Sequence, residues 1–333
     1  MPGQASARHR PKPKPKAKRQ AKSNGGAPSS AGATREAREA REAASRSSTR
    51  RAPEVRVHHE TRSEDDGYRC ELVPGLHSSR DAQRLVEEIG FSSGRLLALT
   101  SAPPGLYAEA RDCPDIEQAT WMCFLCAYLS PLQGSSPFAG IRQALLASWS
   151  SGGLPDLTDV PLGPRTSHDP SRGLETIVAY RRFAEHSGSQ ELAFTGEPSW
   201  TPQRRFERVF ERLALPGFGR VGRYDLLITL GRLGLYQLRA DSLHLAARSP
   251  SSAHHASDPT LLAAKRVFGI GDPLHLERRA IALAQALSTP VEALDLALAN
   301  WNPPASEERA TLGFPPDIND THVLERAHAA LEV

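Results

Sequence analysis

Hydrophobic positions after residue 66 recur with the spacing of helices rather than strands. In the segment RRFERVFERL the apolar residues fall at i, i+3, i+4 and i+7, as expected for one face of an amphipathic helix; they are Phe206, Val209, Phe210 and Leu213. Another such segment follows Ser78 and Ser79, and either serine could cap the helix that it predicts. Because strand-like alternation is scarce, the pattern predicts an almost all-α domain over residues 66–303 and a C-terminal extension over 304–333.

Proline and glycine mark the boundaries of the predicted helices. Asp258-Pro259, Asp272-Pro273 and Thr289-Pro290 each place a capping side chain before a proline that suits the first helical position. Glu292 completes the pattern of a capping box after Thr289. The segment 150–170 is dense in Gly, Pro and Asp and is predicted to be a loop.

The sequence LPGFGRVGR, residues 215–223, joins two predicted helices through closely spaced glycines. Gly217 and Gly219 permit a tight turn and a close backbone approach, so the first amides of the next helix can face an anion. A DNA phosphate fits that requirement. We therefore expect DNA contacts at Gly217, Gly219, Arg220, Val221 and Arg223.

Positive charge is concentrated at the N-terminus. Residues 1–53 contain 14 Lys or Arg and 3 Glu, although the whole chain carries a net charge of only +3, so the remainder is acidic. With its Lys-Pro alternation and no aromatic residue, this composition predicts a disordered basic tail over residues 1–62. The tail could bind nucleic acid through its charge or serve only as a solubilising extension.

Several functional classes find no support in the sequence. No 18-residue apolar run and no N-terminal apolar segment of a signal peptide is present, so we expect no membrane span and a cytoplasmic location. Cys123 and Cys126 have the spacing of metal ligands, but they lie in the apolar run WMCFLCAYL without a second pair. We predict core cysteines, no metal site and no cofactor.

Two sets of motifs resemble known families. LPGFG followed by a basic helix, with Asp241 in RADSLHL at a similar distance, resembles the helix-hairpin-helix DNA glycosylases, although Val221, Gly222 and Arg223 stand where a lysine would be expected in a bifunctional enzyme. The segments WMCFLCAYLSPL, DPSRGLETIVAYRRF, LPGFGRVGRYDLL and GDPLHLERRA resemble clade 3 of the α-glutamyl/putrescinyl thymine pyrophosphorylases, also described as amino acid:DNA transferases. This resemblance covers most of residues 66–303.

The resemblance implies a helix-hairpin-helix DNA glycosylase-like fold and a reaction on DNA. An amine or amino acid would displace pyrophosphate from a pyrophosphorylated 5-hydroxymethyl-pyrimidine in a flipped nucleotide. Asp241 would act as general base or as electrostatic support, with His244 beside it. Four arginines are candidates for binding the pyrophosphate: Arg181, Arg182, Arg278 and Arg279.

Other interpretations of these residues stay open. Asp241 could cap a helix, His244 could be structural, and each arginine pair could be a solvated helix face. At the level of function, a DNA glycosylase could use Asp241 to stabilise a sugar cation. A non-catalytic DNA-binding module would use the hairpin and the basic tail alone.

Overall fold

A computed structural model of the chain describes residues 63–247, 258–302 and 309–333, so the predicted tail over 1–62 lies outside the described residues. All regular elements in these ranges are helical, which confirms the predicted all-α class. The helices are α1 (Ser79–Ser101), α2 (Leu106–Asp112), α3 (Ile116–Leu129), α4 (Ala139–Ala144), α5 (Glu175–Ser187), α6 (Gln190–Thr195), α7 (Pro202–Arg212), α8 (Arg220–Arg232), α9 (Pro259–Val267), α10 (Pro273–Ala286), α11 (Ala293–Trp301) and α12 (Thr321–Leu331). The predicted loop over 150–170 ends in a 3₁₀ turn, Pro170–Arg172, which precedes α5.

Helix α3 lies at the centre of the core and is buried on all sides over most of its length. Trp121 and Tyr128 are fully buried, and the Phe124 ring stacks on Tyr180 of α5 with 3.7 Å between ring centroids. The aromatic residues of this apolar helix thus form part of the core, where they stack on one another. Cys126 is buried in the same helix, and burial raises the pKa of its thiol.

Two of the three predicted proline-led helix starts form as expected. The Asp258 carboxylate accepts a hydrogen bond from the amide of Thr260, and Asp272 caps α10 in the same way. The capping box predicted at Thr289 is wrong, because α11 begins only after Glu292. The carboxylate of Glu292 instead accepts a hydrogen bond from Arg232 at 2.9 Å, which ties α11 to α8.

The C-terminal residues pack along α1. Asp320 caps α12, and its carboxylate also accepts a hydrogen bond from Ser93 Oγ at 2.9 Å. A Cβ at Gly94 would lie 2.7 Å from the backbone of Asn319, so a glycine is needed for this close approach. None of the helices in the described ranges is both long and apolar enough to cross a bilayer.

Candidate nucleic-acid and catalytic site

The predicted hairpin joins α7 to α8. Gly217 adopts a φ of 73°, and a Cβ there would lie 2.4 Å from Thr176 Oγ1, which itself donates a hydrogen bond to the carbonyl of Pro216. Gly219 is the N-cap of α8, but its φ of −70° is open to any residue. Because Gly219 has no side chain to cap the helix, the first amides of α8 lie at a helix N-terminus suited to an anion.

Arg220, the first residue of α8, is buried rather than exposed. Its guanidinium forms a bidentate ion pair with Asp258, and its Nη1 donates to the carbonyl of Leu243 at 2.9 Å. The same Nη1 lies 2.8 Å from Oδ1 of Asp295, which forms a second ion pair with this arginine. Burial alone lowers the pKa of Arg220, but the Asp295 and Asp258 carboxylates outweigh it and raise that pKa.

A second buried arginine completes this charge cluster, which consists of Arg165, Arg220, Asp225, Asp258 and Asp295. Arg165 forms a bidentate pair with Asp225, at 3.1 and 3.2 Å, and a hydrogen bond with Asp295 at 2.9 Å. Burial opposes ionisation of Asp295, yet the two arginines hold its pKa below the ordinary value. The cluster joins the segment before α5 to the first half of α8, the start of α9 and the first turn of α11.

Arg223 also points into the protein. Its guanidinium lies over the Phe210 ring, 4.3 Å from the centroid, and donates to the Phe210 carbonyl at 3.1 Å. Burial, followed by the charge of Arg220, lowers the pKa of Arg223 to about 10. The structure therefore places both guanidinium groups inside the protein rather than on the surface expected of a phosphate contact, whereas Val221 is half-exposed.

Asp241 begins an irregular loop, not the helix that the capping interpretation requires. The side chain is exposed, and its carboxylate has no hydrogen-bond partner among the described residues. Immediately after it, the Ser242 carbonyl accepts a hydrogen bond from Tyr224 Oη of α8 at 2.9 Å. An exposed carboxylate thus stands on backbone that is fixed to the first turns of α8.

Glu277 of α10 holds the remainder of the same loop. Its buried carboxylate accepts the amide of Leu243 at 2.8 Å and also the amide of Leu245. Burial raises the pKa of Glu277, and these two amides oppose that shift. With Arg220 on the Leu243 carbonyl, three side chains from two helices fix the backbone that carries Asp241.

His244 is packed against aromatic rings. It has a positive φ of 52°, so it does not share a helical face with Asp241, and its ring stacks on Phe210 with 4.3 Å between centroids. The Nε2 atom is buried without a hydrogen-bond partner among the described residues. Burial lowers the pKa of His244 to about 4, so the imidazole is neutral near pH 7 and cannot serve there as a cationic acid.

The four arginines predicted to bind pyrophosphate have different environments. Arg181 lies over the Trp149 ring at 4.6 Å and donates to the Gly153 carbonyl at 2.8 Å, so it anchors the loop after α4. Arg279 donates to the carbonyl of Glu71 at 3.0 Å. Arg182 and Arg278 are exposed, on α5 and α10 respectively. Their role in binding pyrophosphate stays a prediction.

Arg172 is a further basic residue at the hairpin, and the sequence motifs alone did not indicate it. Its Cδ would lie 3.3 Å from a Cβ on Gly217, and its guanidinium is paired with Glu175 at 3.2 Å. The residue belongs to the DPSRGLETIV segment that carries the family resemblance. Arg172 lies next to Gly217 because the 3₁₀ turn before α5 packs against the α7–α8 connection, a contact between distant parts of the sequence.

Residues 167–307 match the family model of α-glutamyl/putrescinyl thymine pyrophosphorylase clade 3. This segment is similar to that clade. The matched range includes the hairpin, Asp241, Glu277 and Asp295, and it confirms the clade that the motifs predicted. The name of the family points to a thymine-modifying, pyrophosphorylase-like activity with DNA as the substrate.

No curated protein and no solved structure matches the chain. Within the described residues, no group of three His, Cys, Asp or Glu side chains is arranged to hold a metal ion.

Proposed function

We propose that this member of the thymine pyrophosphorylase family is a DNA base-modifying transferase. Its substrate would be a 5-hydroxymethyl-pyrimidine whose hydroxyl has been pyrophosphorylated, and its second substrate an amine or amino acid. The amine nitrogen forms a bond to the exocyclic methylene carbon, and the bond from that carbon to the pyrophosphate oxygen breaks. Pyrophosphate leaves with the electron pair, and the new ammonium group loses one proton.

The single observation that supports this function best is the state of Asp241. Its carboxylate is exposed and has no partner among the described residues, while the following backbone is fixed by Tyr224, Arg220 and Glu277. A carboxylate held in this way can accept the proton of the incoming amine without reorganising the loop. It can also stabilise positive charge that develops at the methylene carbon.

DNA binding in this proposal depends on the hairpin backbone rather than on Arg220 or Arg223. The amides at the start of α8 would bind a phosphate, with Arg172 beside Gly217 as a cation next to the hairpin. Of the predicted arginines, we assign Arg278 to the leaving pyrophosphate, because it is exposed and lies on the same helix as Glu277. The neutral His244 then contributes through its packing against Phe210 rather than as an acid.

A DNA glycosylase is the main alternative, because the same carboxylate could stabilise a sugar cation after base flipping. The two enzymes differ in the bond that breaks: the transferase leaves the base on its sugar, whereas the glycosylase frees it. A DNA-binding module without catalysis would break neither bond. The products of one incubation therefore separate all three functions.

The Asp241→Asn variant tests the assignment of the carboxylate. The amide keeps the size of the side chain but accepts a proton poorly, so we expect turnover on pyrophosphorylated DNA to fall while DNA affinity is retained. Asp112→Asn is the matched control, since Asp112 is exposed at the end of α2 and, within the described part of the chain, pairs only with its neighbour Arg111. Unchanged turnover in Asp241→Asn would rule out Asp241 as the base.

A further inference from the structure

The structure contains a second glycine hairpin, which joins α9 to α10. Gly269 has a φ of 88°, and Gly271 immediately precedes the Asp272 cap of α10. Between the two glycines, Ile270 is 99% exposed, and Leu274 in the first turn of α10 is 62% exposed. An aliphatic side chain thus stands at the tip of a short connection between two helices.

The two hairpins use their middle residues in opposite ways. In the α7–α8 hairpin, Phe218 is fully buried and its ring lies 5.4 Å from that of Phe124. Phe218 therefore anchors its hairpin in the core, whereas the side chain of Ile270 stays exposed in the folded protein. Single exposed aliphatic residues are ordinary on protein surfaces. Ile270 is distinguished by its position at a tip and by the second exposed aliphatic residue, Leu274, close to it.

This second hairpin lies next to the loop that carries Asp241. Glu277, three residues after Leu274 on α10, accepts the amides of Leu243 and Leu245. One helical turn rises about 5.4 Å, so the start of α10 lies within about a turn of these contacts. Helix α10 therefore connects the two features: the hairpin with Ile270 leads into it, and its Glu277 binds the loop that follows Asp241.

The charges around the hairpin favour DNA as the partner. Lys265 on α9 and Arg278 on α10 are both exposed, and Arg278 follows Leu274 by four residues, which places the two on one helix face. The carboxylate of Asp272, which lies beside Gly271, already accepts a hydrogen bond from the amide of His275 at 2.9 Å. Aliphatic side chains flanked by cations are the arrangement with which proteins unstack a DNA base step while holding the backbone.

We infer that Ile270 is a wedge that inserts into the base stack beside the target thymine, with Leu274 extending the apolar surface and Lys265 binding the adjacent phosphate. The inserted side chain occupies the space that the flipped nucleotide leaves and so keeps the target base outside the duplex. This inference rests on the proposed function, because only an enzyme that acts on a base within a duplex needs the base held out.

The test uses a duplex in which 2-aminopurine stands next to a 5-hydroxymethyluracil, because 2-aminopurine fluorescence rises when its stacking is lost. Fluorescence is recorded at saturating full-length protein, and DNA affinity is measured by anisotropy. We expect wild type and Ile270→Leu to raise the fluorescence, and Ile270→Ser to lose most of that rise while still binding DNA. Leu146→Ser is the control, since Leu146 is 88% exposed after α4 and should behave as wild type.

A full fluorescence rise with Ile270→Ser at saturation would overturn the wedge, and so would an equal loss with Leu146→Ser. Saturating DNA binding by wild type without any fluorescence rise would also overturn it and would assign the hairpin to another partner. The probe carries no pyrophosphate, so its outcome does not depend on the transfer chemistry. Conversely, transfer by wild type together with a silent probe would retain the proposed function and reject only the wedge.

Discussion

Replacing Arg220 with alanine should lower the free energy of unfolding of the protein rather than simply weaken its binding to DNA. The side chain is only 4% exposed, and it pairs with Asp258 and with Asp295, whose own side chain is 2% exposed. Alanine would also remove the donor to the Leu243 carbonyl, which helps to fix the loop after Asp241. The variant thus leaves a buried carboxylate with only one of its two arginines.

Breaking a buried ion pair by removing one partner costs about 3–5 kcal/mol. We expect a loss of that order in the free energy of unfolding of Arg220→Ala at pH 7. The loss should shrink in acid. Because the folded pKa of Asp295 lies below its ordinary value of 3.8, its pairing stabilises the fold above that pH and ceases to do so as the pH falls through the folded pKa.

The assay is urea denaturation followed by circular dichroism, with DNA affinity measured on the folded variants. Arg326→Ala is the control, because Arg326 is exposed on α12, has no role in the proposed site, and its removal should change stability by no more than about 0.5 kcal/mol. If Arg220→Ala kept wild-type stability and lost DNA affinity, the guanidinium would be a phosphate contact, as the sequence alone suggested. That result would refute the buried cluster as its role.

Three further predictions concern the hairpin and the loop after Asp241. Gly217→Ala should destabilise the fold by more than about 1 kcal/mol in urea denaturation, since alanine disfavours a φ of 73° and its Cβ would lie 2.4 Å from Thr176 Oγ1; wild-type stability would contradict this geometry. NMR titration of His244 should give a pKa of about 4, and a pKa near 6.5 would refute its burial. Because the folded state resists protonation of this histidine, the protein should lose stability as the pH falls from 6.5 towards 4. Glu277→Gln should lower turnover more than DNA affinity, because an amide cannot accept both loop N–H groups, and equal turnover in the two proteins would show that the loop holds Asp241 without it.

The sequence was most informative where a local rule determines the structure. Helical spacing identified α7, and the proline-led caps located the starts of α9 and α10. Gly217 takes the positive φ that its place in the hairpin suggested. These features depend on neighbouring residues along the chain, so a single sequence is enough to predict them.

The sequence did not reveal which charges would be buried. Arg220 and Arg223 follow the hairpin glycines, which suggested phosphate contacts, but their directions depend on Asp258, Asp295 and Phe210 from other elements. A useful sign was available, since Asp295 stands among the apolar residues of ALDLALANW. A charged residue inside an apolar helix usually has a buried partner, although the sequence cannot say which one.

The most direct test of the central claim is mass spectrometry of nucleosides from DNA that carries 5-pyrophosphoryloxymethyl-uracil, after incubation with the full-length protein and a mixture of amino acids and polyamines. The proposed transferase predicts a new aminated nucleoside together with released pyrophosphate, and the loss of both with Asp241→Asn. A freed base with no aminated nucleoside would contradict the transferase and establish a glycosylase. Unchanged nucleosides with DNA still bound would contradict transfer to this substrate.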